Sequence, residues 1–362
     1  MKAPERILKA INHEEPDKVP AFESAFTNNA IMKYYGLNQT SGRGYKLYYE
    51  LLRRIGIDLA PSLVSLFPRK FLKRGEGFID EYGRIMKFEQ YKDGTQLTTY
   101  FGGHFKSFED YESWEQPDPN LSTRLEQFFE GRKVQKDLGD EIFSIPATGS
   151  LMECTWEGFG LENFSRMLIK SKQIRKVFDD RGLFTLEIVK TLAENDAKIV
   201  LLWDDYGFKN GLFMKPSLYR EYIFPWLKRI CEAAHKHDCK IMLHSDGDLM
   251  EIFEDIIKAG VDVINPVEST TANPEYDIFK LNEKYGDKIT FSGNLSPILL
   301  AIGEIHEIEE HAKRLIRDLA PGGGYIFGSG HSINPAVTID RFEAMQNIRR
   351  KYGNYPIKIP AN

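Results

Sequence analysis

His244 and Asp246, one residue apart, bring an imidazole nitrogen and a carboxylate oxygen to one place in the chain. Zinc accepts nitrogen, oxygen and sulfur donors, so this pair could hold a metal. Without a metal, the same groups could work as general acid and base. The pair sits in K-I-M-L-H-S-D-G-D, where the apolar run Ile241–Leu243 ends abruptly in polar and flexible residues. The same break recurs along the chain. K-I-V-L-L-W stops at Asp204, Asp205 and Tyr206, and Val261–Ile264 stops at Asn265, Pro266 and Glu268. Ile289–Phe291 runs into Asn294, Tyr325–Phe327 into His331, and Val19–Phe22 into Glu23. We therefore assign Asp205, His244, Asp246, Glu268 and His331 as candidate catalytic residues, His244 and Asp246 also as metal ligands, and Glu23, Asp204, Tyr206 and Asn294 as candidate substrate contacts. Asp204 and Asp205 follow a strand that should be buried, so at least one must find a partner or a ligand. Capping a helix is the bland role for the other. His235 and His237 fall at a helix end and read as solvated, while His13, His104, His306 and His311 carry no chemical context.

Positioning such residues requires strands that end on one rim. Strand, polar end, amphipathic helix and next strand is the grammar of a parallel βαβ unit. Leu249, Ile252, Phe253, Ile256 and Ile257 have the spacing of one helical face between two such runs. About eight strands follow from this pattern, most preceded by helical material, which predicts a single (β/α)8 barrel spanning residues 1–362 with its chemistry at the C-terminal ends of the strands. From 71 to 107, aromatic and β-branched residues alternate with charges and are punctuated by glycines, predicting an antiparallel β-hairpin insertion after the second strand. An open doubly wound sheet is the rival, but no glycine fingerprint follows the first strand. Gly322–Gly324 precedes a strand and reads as a tight turn, not as a phosphate loop.

Composition bounds the partners. The chain has 362 residues, a net charge of −5 and 42% hydrophobic residues, which supports a large core and no polyanion-binding surface. No basic run suits a nucleic acid, and no apolar run approaches the roughly 20 residues of a membrane span. Three irregularly spaced cysteines suggest neither a disulfide framework nor a zinc finger, and the charged N-terminal helix has no signal-peptide core. A reducing, cytoplasmic setting is the expectation.

Four segments carry a resemblance: E-R-I-L-K-A-I-N-H-E-E-P-D-K-V-P, L-H-S-D-G-D, F-S-G-N-L and A-P-G-G-G-Y-I-F-G-S-G-H-S-I. They resemble the uroporphyrinogen decarboxylase superfamily nearly end to end. The resemblance implies a barrel with its site at the C-terminal rim, and either decarboxylation in haem synthesis or corrinoid-linked methyl transfer. Decarboxylases of this type carry an arginine-bearing R-Q-A-G-R-Y segment that neutralises a polycarboxylate substrate. Here the corresponding stretch is E-S-A-F-T-N-N-A, with one acid and no arginine, although His331 matches the family's C-terminal histidine. The methyltransferases that act on coenzyme M hold zinc through H-x-C and a later cysteine. In this chain His244 matches the histidine, Asp246 replaces the cysteine, and the later position has no thiol. The resemblance thus implies a different zinc site, using His244 with Asp246, Glu153 or Glu268. Losing thiolates makes the metal a harder Lewis acid, suited to an ether oxygen.

The expectation is a methyltransferase moving a methyl group from a small methylated substrate, an O-methyl compound, to a corrinoid protein, with the corrinoid supplied by that partner because no D-x-H-x-x-G signature is present. A uroporphyrinogen or related decarboxylase is the second reading, and a non-catalytic barrel binding a tetrapyrrole or small molecule the third. The resemblance also implies a homodimer. Trp156, Phe159, Trp203, Tyr206 and Phe208 could line an apolar pocket, though most suit ordinary packing.

Overall fold

A computed structural model describes residues 1–37, 44–91, 94 and 96–360, the side chain of Ser171 excepted. Among the described residues the strands are Leu59–Leu63 (β1), Pro68–Phe71 (β2), Gly77–Asp80 (β3), Arg84–Gln90 (β4), Gln96–Gly103 (β5), Phe143–Gly149 (β6), Ile199–Trp203 (β7), Gly207–Phe208 (β8), Gly211–Leu212 (β9), Lys240–His244 (β10), Val263–Asn265 (β11), Thr290–Leu295 (β12) and Tyr325–Ser329 (β13). Seven of them form one parallel sheet in the order β1-β6-β7-β10-β11-β12-β13. The order follows the sequence because each connection returns through helical material, as parallel pairing requires. The chain thus adopts an α/β fold with a parallel half-barrel sheet and a small antiparallel sheet.

The strands are apolar on both faces, and their alternation divides the core in two. Leu59, Phe143, Ile145, Ala147, Ile199, Leu201, Met242, Val263 and Ile326 share one cluster inside the curve of the sheet. Val200, Leu202, Ile241, Leu243, Ile264 and Phe291 pack in the other, with residues of the surrounding helices. The helix Ala3–Ile11 adds Ala3, Ile7 and Ile11 to the inner cluster. It is held there by Arg6, whose guanidinium donates to Asp17 and, at 2.6 Å, to Asp58. Asp58 also accepts the backbone N–H of Ala21 at 2.9 Å. Apolar side chains fill the inside of the sheet, and the polar residues lie where its strands end.

The expected first strand, Val19–Phe22, makes only two isolated parallel bridges, Ala21 with Phe327 and Phe22 with Leu59. This correction to the eight-strand count has a physical source in Pro20, which has no N–H to donate to a ladder. Its carbonyl still accepts from Phe327, and Phe22 donates to the Phe327 carbonyl, so the segment touches both edge strands of the sheet.

The insertion expected over 71–107 is present between β1 and β6 as consecutive antiparallel hairpins, which form a four-stranded sheet in the order β2-β3-β4-β5. The helix that ends near His235 is interrupted: Pro216–Leu218 passes through a wider π turn at Tyr219–Ile223 into Phe224–His235. Pro225 explains the break, because it lacks the N–H that a regular ladder needs there. Gly322, Gly323 and Gly324 all have positive φ, as the predicted tight turn requires. A Cβ on Gly323 would come within 2.7 Å of the Glu14 backbone. No helix is long and apolar enough to cross a membrane, among the described residues.

Candidate active site

Strand register sets the site. β7, β10 and β11 are aligned so that Trp203, His244 and Asn265 stand opposite one another at the C-terminal ends. The next residues, Asp204–Asp205 and Ser245–Asp246, therefore emerge side by side. One ligand atom each from Asp205, His244 and Asp246 lies within 4.8 Å of the others. The Asp246 backbone N–H donates to Asp205 Oδ1 at 2.8 Å, locking the two loops together.

The orientation of His244 is set by a residue that sequence reasoning did not weigh. Asn265 donates through Nδ2 to the carbonyl and hydroxyl of Ser292, each at 3.2 Å, so its Oδ1 faces His244. That oxygen lies 2.8 Å from His244 Nδ1. An amide oxygen can only accept, so Nδ1 carries a proton, and in the neutral tautomer this selects it is Nε2 that has the lone pair. This is how ligating histidines are commonly fixed, with the second nitrogen bonded behind them. One imidazole nitrogen and two carboxylates, without thiolate, form a donor set that fits zinc or a harder divalent cation.

Asp204 is fully buried and does not reach the opening. Its carboxylate accepts the N–H groups of Leu151, Met152 and Glu153 at 2.9, 2.6 and 2.9 Å, anchoring the start of the helix Glu153–Phe159. Burial still pushes its carboxyl up to about 7, against those bonds. The substrate contact expected of Asp204 thus gives way to an anchoring role. Asp204→Ala should destabilise the fold by about 3 kcal/mol or more, since unmade buried hydrogen bonds cost about 1–3 kcal/mol each. Urea denaturation measures this, and a loss below about 1 kcal/mol would mean the three amides find other partners.

Tyr206 also departs from expectation. It is fully buried and packs against Tyr219 and Phe224 in the helix-side core, because its backbone N–H is drawn to Ser245 Oγ at 2.9 Å. Glu268 is at the rim, but its Oε2 accepts the Gly247 N–H at 2.7 Å and its Oε1 accepts the Thr270 hydroxyl. Its visible work is to hold the loop after β10. His331 is half exposed and its Nε2 lies 3.7 Å from Asp246 Oδ2. Asn294 is buried, with Oδ1 unpartnered beside Gly330. Glu23 is buried against the end of β13, where it accepts the Ser329 N–H and shares a hydrogen bond with the Ser329 hydroxyl. The structure therefore joins Asp205, His244, Asp246 and His331 directly. Asn294 and Glu23 occupy the neighbouring strand ends.

The insertion contributes a residue the sequence reading passed over. Arg84 is buried at the start of β4, with Nε donating to Asp80 Oδ2 at 2.6 Å and Nη1 to Glu157 Oε2 at 2.9 Å. Its Nη1 lies 3.6 Å from Glu153 Oε1, and Glu153 Oε2 lies 3.5 Å from the Asp205 N–H. Burial, then the nearby Glu153, pushes the Glu157 carboxyl up to about 8. Burial also drives Asp205 well up, with Glu153 and Asp246 adding to it. Above this acidic group, Tyr100 meets Trp156 edge-on and Trp156 stacks on Phe213, with ring centroids 5.5 and 5.0 Å apart. Of the aromatics singled out by sequence, Trp156 lies in this wall, and Phe208 touches its far end at Phe213.

Comparison with known proteins closes the question of ancestry. The family model described as uroporphyrinogen decarboxylase (URO-D) matches residues 89–352. Uroporphyrinogen decarboxylase from Coxiella burnetii is 28% identical over 174 residues, 46% of this chain and 45% of the relative, so the chain matches about half the length of that protein. The Schizosaccharomyces pombe enzyme of the same name is 24% identical over 65% of this chain and 67% of its own. The Alkalilimnicola ehrlichii one is 21% identical over 94% and 92%. In three dimensions the chain is similar to a methyltransferase from Methanosarcina mazei, with a TM-score of 0.72 and 17% identity over 97% of this chain and 99% of that one, a likeness of fold. From the family match, the chain belongs to the uroporphyrinogen decarboxylase family.

Proposed function

We propose that this chain is a methyltransferase that takes a methyl group from a small O-methyl substrate and passes it to a corrinoid carried by a separate protein. The observation that carries the reading is the His244 arrangement. Asn265 engages Nδ1, which leaves Nε2 as the nitrogen that would serve as a ligand beside the oxygens of Asp205 and Asp246. Asp205, His244 and Asp246 would hold zinc. When bound, zinc supplies Lewis-acid polarisation of the substrate oxygen. A set without thiolates favours an oxygen over a thiol as the polarised atom. His331, 3.7 Å from Asp246, would give a proton to the departing oxygen, and the unpartnered amide oxygen of Asn294 would meet the substrate. The aromatic wall from Tyr100 to Phe213 suits an apolar substrate body. The corrinoid supplies the cobalt that accepts the methyl group. We further take residues 1–362 as one domain in which Ala21–Phe22 stands in for an eighth strand, cytoplasmic in keeping with its three buried, unpaired cysteines, and dimeric.

A decarboxylase is the second reading, favoured by the names of the curated relatives. The rim argues against a polycarboxylate such as uroporphyrinogen: Asp205, Asp246, Glu153 and Glu268 gather there, and the stretch from Glu23 to Ala30 has no arginine. Like charges facing an anionic ligand cost affinity. The test supplies the zinc-loaded protein with reduced free cobalamin and a panel of aryl and alkyl methyl ethers. Methylcobalamin formation, with no turnover of uroporphyrinogen, is expected. Uroporphyrinogen turnover without methyl transfer would overturn the proposal.

A further inference from the structure

We propose that the outer edge of β5, residues 96–101, is the surface on which two copies of this chain pair, strand against strand; the inference names the interface of the dimer proposed above and rests on that reading. β5 closes the antiparallel insertion on one side and β2 closes it on the other. Any edge strand shows a row of free N–H and C=O groups, and soluble proteins blunt such edges with proline or charge. β2 is blunted in this way, since all its residues are exposed and Pro68, Arg69 and Lys70 are among them. β5 is not. Over 96–101 it reads Q-L-T-T-Y-F, with no charge and no proline, and its threonines and aromatics favour extended backbone. Among the described residues its strand partner is β4 alone. Gln96, Thr98 and Phe101 are exposed, the last by 62%. Past Phe101 the edge is closed, because a Cβ on Gly103 would come within 2.2 Å of the Gly160 nitrogen. An antiparallel pair about a two-fold axis is self-complementary, each strand offering the donors that the other's acceptors need. The chain carries a net charge of −5, so two copies repel over most approaches. An uncharged strand lets their backbones meet without bringing like charges together. The pair also joins two sites. Tyr100, within the run, donates to the Glu157 carbonyl at 3.0 Å and meets Trp156 in the aromatic wall, so pairing braces that wall in both copies.

Thr98 is the residue to change, because it is exposed and lies near the middle of the run. The two-fold passes through Thr98 or Thr99, so a lysine at 98 meets its own copy directly or on the diagonal. Sedimentation equilibrium is run on full-length wild type, Thr98→Lys and Thr98→Val, with circular dichroism of each to check the fold. Wild type is expected to be a dimer. Thr98→Lys should raise the dimer Kd about 30-fold or more, as like charges set against each other in an interface do. Thr98→Val should pair as wild type does, which assigns the loss to the charge and not to the missing hydroxyl. Hydrogen exchange resolved to single amides gives a second readout in wild type. In an unpaired edge strand every second amide faces solvent and exchanges freely, whereas in a paired one all are protected. Protection of every amide over 96–101 is the expected result, and it decides even if Thr98→Lys fails to fold. A dimer that Thr98→Lys leaves intact, or one in which alternate amides of the run exchange freely, overturns the proposal and moves the interface to another face. A wild type that stays monomeric defeats the dimeric reading itself, and the proposal with it.

Discussion

Replacing His244 by alanine is expected to abolish stoichiometric zinc binding, and replacing Asn265 by leucine to weaken it about 10- to 100-fold. The first follows from the donor count, since His244 is the one nitrogen ligand among the three groups brought together. The second tests the argument about the imidazole. Asn265 cannot rotate its amide without placing Nδ2 against His244 and losing both bonds to Ser292. Leucine would fill the volume but leave the Nδ1 proton without an acceptor, so the ring would be free to turn or to exchange tautomers. The cost falls on the ligand's orientation, with the donor itself still present. Elemental analysis of protein purified without chelators or a metal-affinity tag, followed by competition titration, measures both. Zinc retained at full occupancy in His244→Ala would remove that residue from the metal site. Unchanged affinity in Asn265→Leu would mean that the hydrogen bond behind the ring does no orienting.

Much of this arrangement was legible in the sequence because it is written locally. Strands such as Ile199–Trp203 and Lys240–His244 are short apolar runs ended by polar residues, and the structure places their ends where the pattern put them. Asp205, His244 and Asp246 could be grouped because parallel strands end on a common rim, so that position after a strand predicts proximity. What the pattern could not distinguish was direction and commitment. Asp204 and Asp205 look alike in sequence, but one turns to three buried amides and the other to Asp246. Tyr206 follows them and is drawn into the core by Ser245. Asn265 was visible as a polar residue after a strand, and its pairing with His244 depends on the register of β10 and β11, which no single segment encodes. Arg84 was the least legible. It lies in an insertion that alternates like any surface hairpin, and its chemical meaning arises only once that sheet packs on the helix Glu153–Phe159. Val19–Phe22 shows the opposite error, since a good apolar strand pattern was limited to two bridges by Pro20.

Wild-type stability is expected to fall as pH rises through neutrality, and Glu23→Gln to remove about 3 kcal/mol of that fall. Burial pushes the Glu23 carboxyl up to about 7 from an ordinary value of 4.5, against the hydrogen bonds from Ser329 and the more distant Arg349. Tyr48 and Tyr325 also lie within its electrostatic reach, and neither supplies a positive charge. The bonding pattern points the same way. Ser329 Oγ has two acceptors, Glu23 and the His331 carbonyl, but a hydroxyl has one proton. A protonated Glu23 resolves this by donating to Ser329 Oγ, which then donates to the His331 carbonyl. Because the folded value lies above the unfolded one, the stabilisation is complete below about 4.5 and is lost as pH rises through about 7. Asp204 and Glu157 are shifted in the same sense, so wild type and variant share their part of the slope. Glutamine can make the same donation through its amide without titrating. Urea midpoints at pH 5 and pH 9 should therefore be nearly equal for Glu23→Gln and wild type at the lower pH and clearly higher for Glu23→Gln at the upper. Parallel pH profiles for the two proteins would show that Glu23 carries no buried proton. If stability behaves as expected and methyl transfer survives in the variant, the acid is a neutral wall of the rim. If transfer is lost from a variant that is as stable as wild type, Glu23 reaches the substrate through the proton it keeps.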